Sequence, residues 1–399
     1  MEHTDILISG GGVAGLTAAA AFGTAGYRVI CVDPTPPVTD EGAEGADLRT
    51  TAFLQPARQV LQAAGLWQRL EPYAAPLQIM RIIDAGGPDA TPRLVKNFDA
   101  AEISDLPFGW NLPNWLLRRE MVARLAELPS VSFRPGTATS SLLTRSAEAI
   151  VTLSDGTRIA ARLVIAADGR NSTMRQALGI PVKTLRYGQK ALSFAVTHPV
   201  PHQNVSTEIH RSGGPFTLVP MPDRNGLPCS AVVWMETGPE VARLAALPDP
   251  AFEAAILARS CGVLGPLTLA TRRLVWPMLA QIAARMTGER VALMAEAAHV
   301  LPPIGAQGLN MSLADLAALL DLAAKHDLGS VAMLDAYHHR RHGEVQARVM
   351  GIDALNRASM LEAPVLRDLR AATLSGLYAL PPVRQALMKA GLGVKAATP

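Results

Sequence analysis

Asp5-Ile6-Leu7-Ile8-Ser9-Gly10-Gly11-Gly12-Val13-Ala14-Gly15 decides how this chain folds. Ile6-Leu7-Ile8 is a short apolar run of the kind that forms a strand buried on both faces. Gly10, Gly12 and Gly15 then follow at G-x-G-x-x-G spacing. The first permits a sharp turn, the second lets phosphates approach the backbone, and the third allows a helix to pack tightly on a strand. Val13 to Ala25, rich in alanine, reads as that helix and ends near Gly26. Arg28 to Asp33 reads as a second strand, placing an acid eighteen positions after Gly15, close to the spacing at which a carboxylate meets ribose hydroxyls. The unit is built for a dinucleotide, and taken alone it does not separate FAD from NAD.

Two later segments repeat the arrangement. Leu163-Val164-Ile165-Ala166-Ala167 reads as a buried parallel strand that delivers Asp168 and Gly169 to the ligand side, and Val291-Ala292-Leu293-Met294-Ala295 does the same for Glu296. Beyond it, Pro302-Pro303 leads through Gly305 to Gln307-Gly308-Leu309-Asn310. There a helix is expected, with Leu309, Leu313, Leu316 and Leu320 on one face. In this order the three segments point to FAD. A helix starting beneath the pyrimidine edge of a flavin would present its free amides to the negative charge that develops there on reduction. His299 reads either as a packed, hydrogen-bonded residue or as an acid–base group, and Asp315 is expected to face water. Trp110, Trp115 and Trp234 read as core residues or as walls of a substrate pocket.

Asp155-Gly156 between two apolar runs signals a hairpin. Ala191 to Val196, Phe216 to Met221 and Ala231 to Met235 read as strands between Pro- and Gly-rich breaks. The fold class is therefore α/β with α+β elements. A discontinuous Rossmann-like FAD domain is expected over 1–70, 95–175 and 286–325, an inserted antiparallel substrate sheet over 71–94 and 176–285, and a helical C-terminal region over 326–399. Pro381-Pro382 and Gly391-Leu392-Gly393 read as breaks in that tail.

The composition narrows the function. Lys and Arg number 37 against 34 Asp and Glu, with no block of like charge, so nucleic acid is not implied as a partner. Cys31, Cys229 and Cys261 are widely spaced, which fits a reducing cytoplasm and gives neither a disulfide framework nor a metal site. The N-terminus lacks the basic and apolar regions of a signal peptide, and no apolar stretch is long enough to span a bilayer. Peripheral association with a membrane face or a biosynthetic complex stays open.

Asp168-Gly169-Arg170-Asn171-Ser172 with Arg175, followed by Glu296-Ala297-Ala298-His299 and Gln307-Gly308-Leu309-Asn310, resembles the class A flavoprotein aromatic hydroxylases. Asp47-Leu48-Arg49-Thr50-Thr51-Ala52 and Ala64-Gly65-Leu66-Trp67 are similar to the hydroxylases of ubiquinone biosynthesis. The likeness covers nearly the whole chain. It implies an FAD-dependent monooxygenase that uses NAD(P)H and O2, through a C4a-hydroperoxyflavin, to hydroxylate a small electron-rich aromatic ring of the quinone-precursor type. By matching position it carries cofactor roles to Gly10, Gly12, Val13, Ala14, Gly15, Asp33, Arg49, Arg118, Asp168, Gly169, Glu296, Pro303, Gly305, Gln307, Gly308, Leu309 and Asn310. Because the flavin does the chemistry, few catalytic side chains are expected; Pro303 and His299 are the candidates. Two positions depart from the family. Ala295-Glu296 stands where Gly-Asp is usual, and Gly305-Ala306 where the order is Ala-Gly. A flavin reductase or dehydrogenase on the same fold, or a non-catalytic flavoprotein partner in a quinone-biosynthesis complex, are the alternatives.

Overall fold

Ser9, Ala166 and Leu293 stand side by side at the end of one parallel sheet. Strand β1 (Glu2–Ser9) pairs with β2 (Val29–Asp33) on one side and with β7 (Arg158–Ala166) on the other, and β7 pairs with β13 (Val291–Leu293). Their registers match Ser9 with Val32 and Ala166, and Ala166 with Leu293. The computed structural model describes residues 1–86, 91–211, 213–360 and 375–393.

The glycines act as the sequence requires. A Cβ on Gly15 would sit 1.9 Å from the Gly10 carbonyl oxygen, and one on Gly10 would sit 2.3 Å from that of Ala167, so neither site admits a side chain unless the backbone moves. Helix α1 (Val13–Thr24) packs down on the sheet through Leu16, Ala18 to Ala21 and Phe22, all buried, and ends at Gly26 with φ +91°. The Asp155-Gly156 hairpin forms, with Asp155 Oδ1 accepting from the Thr157 amide at 2.8 Å. Its second arm runs unbroken into Ala166, so the two strands read from the sequence there are one.

A second, mostly antiparallel sheet lies against this unit. Strand β12 (Leu274–Ala283) pairs with β8 (Val182–Thr197), β8 with β11 (Leu227–Thr237), β11 with β10 (Pro215–Arg224) and β10 with β9 (Val205–His210); β9 then runs parallel to β4 (Ile79–Asp84). Strand β5 (Leu94–Asp99) closes the edge on β4. The expected division at residue 95 therefore cuts through β5, whose strand pairing is with the second sheet. A small third sheet places β6 (Gly109–Pro113) between β3 (Thr50–Leu54) and Ala75–Leu77.

Helix α2 (Gln307–Ala323) and the long helix α3 (Val331–Ser359) follow β13, and α4 (Pro381–Leu392) closes the described chain. Pro381-Pro382 opens α4 instead of breaking it, since proline at the first positions of a helix lacks only an amide that would have no partner anyway. Residues 361–374 and 394–399 of the expected helical region lie outside the described residues. One core joins the first sheet to α1, α2 and α3; a second lies under the antiparallel sheet, where the helices Gly238–Ala245 and Asp249–Arg259 cover Phe194, Phe216 and Trp234. Trp110 and Trp234 are buried and Trp115 is half-buried, as core residues.

Candidate functional site

The strand ends of the first sheet carry their chemistry to one edge. The Gly11 amide donates to Asp33 Oδ2 at 2.6 Å and the Thr35 amide to Oδ1 at 2.8 Å, which fixes Asp33 beside the glycine turn. Among the described residues no side chain caps the start of α1 at Gly12, and nothing beyond its chain neighbours lies within 4 Å of where a Gly12 Cβ would stand. The first amides of α1, from Val13 and Ala14, thus face open space at the positive end of the helix. Beyond β7, Asp168 Oδ2 accepts from the Met174 amide at 3.1 Å, while its buried Oδ1 has no partner among the described residues. Gly169, at φ +81°, is likewise open on its side-chain face.

After β13 the chain does not continue as a strand to Ala295. It breaks at Leu293, and Ala295–Ala297 forms a single 3-10 turn with Ala295 at φ +54°, a left-handed conformation uncommon for alanine. Glu296 projects from that turn and is exposed. Arg175 ties the second and third segments together, donating to the Ala297 carbonyl at 2.8 Å and to that of Arg170 at 2.8 Å from a side chain shut off from water. Its position in the sequence motif was legible; its role as a strut was not.

Arg49 and Arg118 meet on Asp47. The Arg49 guanidinium forks onto Asp47 at 2.8 and 2.7 Å, Arg118 Nη2 lies 3.6 Å away, and Asn114 donates at 3.1 Å. Burial alone would push the Asp47 carboxyl up, but Arg49, Asn114 and Arg118 outweigh it and hold it below the ordinary range. Burial likewise works against the Arg49 charge, and Asp47, with Glu296 behind it, raises its pKa instead. Arg49 also sits over Trp276 of β12, its Cζ 4.0 Å from the ring centroid, and feels the charge of Glu296. Asp47 opens a stretch that the sequence reading quotes but carried no role there, and Trp276 was not singled out.

The loop before α2 brings Pro303 and Gly305 to the surface and starts the helix at Gln307, two residues earlier than expected. Ala306 takes φ +57° and no side chain caps the helix, which leaves the amides of its first turn, through Gly308 and Leu309, for a ligand. The Gln307 and Asn310 side chains are engaged elsewhere. Asn310 binds the Leu54 amide at 2.8 Å and the Ala52 carbonyl at 2.7 Å, and Gln307 binds the carbonyls of Gly305 at 2.8 Å and Gly391 at 3.0 Å. What these two positions offer a cofactor is backbone.

Residues 3–351 match the FAD binding domain family. Over 395 residues the chain is 32% identical to the ubiquinone hydroxylase UbiL of Rhodospirillum rubrum, covering 98% of this chain and 89% of that one. The chain belongs to the FAD-dependent aromatic hydroxylases. The 3-demethoxyubiquinol 3-hydroxylase of Escherichia coli is 25% identical over 92% of this chain and 93% of its own. In fold, the hydroxylase superposes on p-nitrophenol 4-monooxygenase PnpA of Pseudomonas putida with a TM-score of 0.80 at 19% identity, covering all of both chains.

Asp315 of the hydroxylase overturns the expectation that it faces water. It is fully buried, its Oδ2 2.6 Å from His299 Nε2 and its Oδ1 2.8 Å from Arg341 Nε. Helix α3, which supplies Arg341, packs against that side of α2 and turns a surface position into a core one. The same Oδ2 accepts from the Ala295 amide at 3.3 Å, so this buried pair braces the turn that presents Glu296. His299 is equally shut in, its side chain 1% exposed, and acts here as a packed and bonded residue. Among the described residues no helix is long and apolar enough to cross a membrane.

Proposed function

We propose that this hydroxylase inserts oxygen from O2 into an electron-rich phenolic ring of the quinone-precursor type, using NAD(P)H as reductant. The observation that carries the reading is the alignment of Ser9, Ala166 and Leu293, which turns three glycine- and acid-bearing strand ends toward one edge. The residues there suit FAD chemically: backbone left open at Gly12, Gly169 and Gly308, an orphaned buried oxygen on Asp168, and two uncapped helix starts.

In this reading Gly12, Val13 and Ala14 hold the pyrophosphate through backbone amides, Asp33 takes the adenosine ribose, and Glu296 takes the ribityl hydroxyls. Arg118 and Arg49, fixed on Asp47, neutralise the phosphates and flank the ring system, and Asp168 with Gly169 borders both the pyrophosphate and the approach of the nicotinamide. When bound, FAD supplies two-electron reduction and the activation of O2. Pro303, Gly305 and the first-turn amides of α2, from Gln307 to Asn310, stabilise negative charge at the pyrimidine edge. The apolar face of the second sheet holds the substrate ring and keeps water away from it.

The test is to reconstitute the protein with FAD, supply NADH or NADPH and a panel of phenols under 18O2, and measure product mass. One heavy oxygen in the ring per nicotinamide oxidised is expected. Nicotinamide oxidation with no labelled product from any phenol would point to a reductase and overturn the proposal.

A further inference from the structure

The turn that presents Glu296 is held at both ends by one short segment, the end of β12 and the three residues after it. The Met286 carbonyl accepts from the Leu293 amide at 2.8 Å, and the Ala283 amide donates to the Ala298 carbonyl at 2.8 Å. Leu293 ends the strand before the turn and Ala298 closes the turn, so Ala283 to Met286 frames it.

Helix α3 grips the same two residues. The Met286 amide donates to His338 Nδ1 at 3.4 Å, and His342 Nε2 lies 3.3 Å from the Ala283 carbonyl. The two histidines are four positions apart and so share a face of the helix, both half-buried, their ring centroids 4.7 Å apart. Tyr337 beside them donates to the Leu293 carbonyl at 2.9 Å. The segment is thus fastened to both ends of the turn on one side and to two imidazoles on the other, and what loosens the imidazoles reaches Glu296.

A proton acts differently on the two fastenings. A carbonyl only accepts, so His342 carries hydrogen on Nε2 and keeps its bond whether the ring is neutral or charged. An amide only donates, so His338 must hold a lone pair on Nδ1, which the charged ring lacks. Protonation turns Nδ1–H against the Met286 N–H and sets a cation among groups that mostly oppose it. Arg285 on the segment and His342 and His339 on the helix disfavour the charge, the His339 ring 5.7 Å away. Asp335 favours it, but Arg285 lies 3.8 Å from that carboxylate, and Arg341 on the next face is bound to Asp315.

We infer that His338 is an acid-sensitive catch: its neutral ring fastens α3 to the segment that frames the Glu296 turn, and its protonation frees that segment and loosens the hold on FAD, a regulation of the site that rests on Glu296 being its ribityl contact. Burial, then His342, Arg285 and His339, keep the His338 pKa below its ordinary value. The unfolded chain, with an ordinary value of about 6.5, therefore takes the proton first. The catch contributes its stability in full above that pH, and the contribution is lost as pH falls from about 6.5 through the folded value. This window lies above the one in which Asp315, held below the ordinary carboxylate range, gives up its charge.

The test follows urea unfolding of the apoprotein, and FAD affinity by flavin fluorescence, from about pH 7.5 to about pH 5 in the wild type, His338→Asn and His338→Leu. Asparagine sets an amide oxygen near the place of Nδ1 and does not titrate, whereas leucine removes the acceptor. On acidification the wild type should lose stability and FAD affinity together, the affinity by up to about tenfold, the ratio that one pK unit between the two states gives. His338→Asn should match the wild type near neutrality and lose several-fold less affinity in acid. His338→Leu should already show the weakened values near neutrality and follow the same shallow pH course as His338→Asn. Wild-type and His338→Asn curves that run parallel in both measurements overturn the proposal. A stability step that His338→Asn removes while FAD affinity ignores it overturns the link to Glu296, and with it the ribityl role of that residue.

Discussion

His299 Nε2 lies 2.6 Å from Asp315 Oδ2, and both side chains are closed to water. The contact sits directly behind Ala295, whose amide the same oxygen accepts, so a buried ion network and the presentation of Glu296 are one structural unit. Arg341 completes it and passes through Glu344 and Arg348 to Gln307 at the start of α2. The Glu296 turn and the loop before α2, on either side of His299, are thus held by a common frame.

Asp315→Asn should be among the costliest single changes in the protein. It leaves Arg341 and His299 without their shared anion, and breaking a buried pair from one side costs about 3–5 kcal/mol. Burial raises the Asp315 carboxyl, but His299 and Arg341 prevail and hold it below the ordinary range. A depressed carboxylate contributes stability that is complete above its unfolded pKa, about 3.9, and lost as pH falls through the folded value. Urea unfolding at several pH values should therefore show a gap between wild type and variant that is constant near neutrality and narrows below about pH 4. A gap independent of pH would mean that Asp315 is not charged in the native protein.

Gly12 and Gly15 separate fold from ligand. A Cβ at Gly15 collides with the Gly10 carbonyl at 1.9 Å, whereas one at Gly12 meets nothing within 4 Å. Gly15→Ala should lower the melting temperature of the apoprotein. Gly12→Ala should leave that temperature unchanged and weaken FAD about tenfold or more, ~1.4 kcal/mol, because the added methyl stands where a pyrophosphate would approach. Unaltered FAD affinity in Gly12→Ala would remove the pyrophosphate from this turn.

Glu296→Ala should loosen FAD more than His299→Ala, when both are titrated with FAD and followed by flavin fluorescence. Glu296 is exposed, so its loss would remove the proposed ribityl contact without disturbing the core. His299→Ala acts on the turn only through Asp315, so its larger effect should appear in unfolding. Equal retention of FAD by the two variants would undo the ribityl assignment.

Much of this frame was readable in the sequence, because the strand ends that matter are local signals: an apolar run, a glycine or an acid, and a helix. Gly10 to Gly15 with Asp33 state their geometry within one strand–turn–helix–strand unit. Asp315 does not. Between Ala314 and Leu316 a lone carboxylate reads as solvated, and only the packed fold brings His299, sixteen residues before it, and Arg341, twenty-six after it, into contact. The expected domain boundary at residue 95 falls inside β5 for a related reason: an edge strand with half-polar alternation takes its partner from topology. The Asp47 hub escaped notice because its meaning depends on Arg118, which arrives on a separate helix.

Arg49→Lys tests whether that hub is tuned for shape or only for charge. Lysine keeps the charge, but an ammonium cannot place two parallel bonds on Asp47 while lying flat on an indole. Asp47, 8% exposed, would keep Asn114 and the more distant Arg118, and the bridge from Asp47 to Trp276 of β12 would be lost. FAD affinity should fall about tenfold, ~1.4 kcal/mol. Trp276→Ala removes only the stacking, worth about 0.5–1 kcal/mol at an exposed site, and should weaken FAD less. If Arg49→Lys binds FAD as the wild type does while Trp276→Ala does not, the arginine serves only as a cation, and the indole, not the guanidinium, forms the wall of the cofactor site.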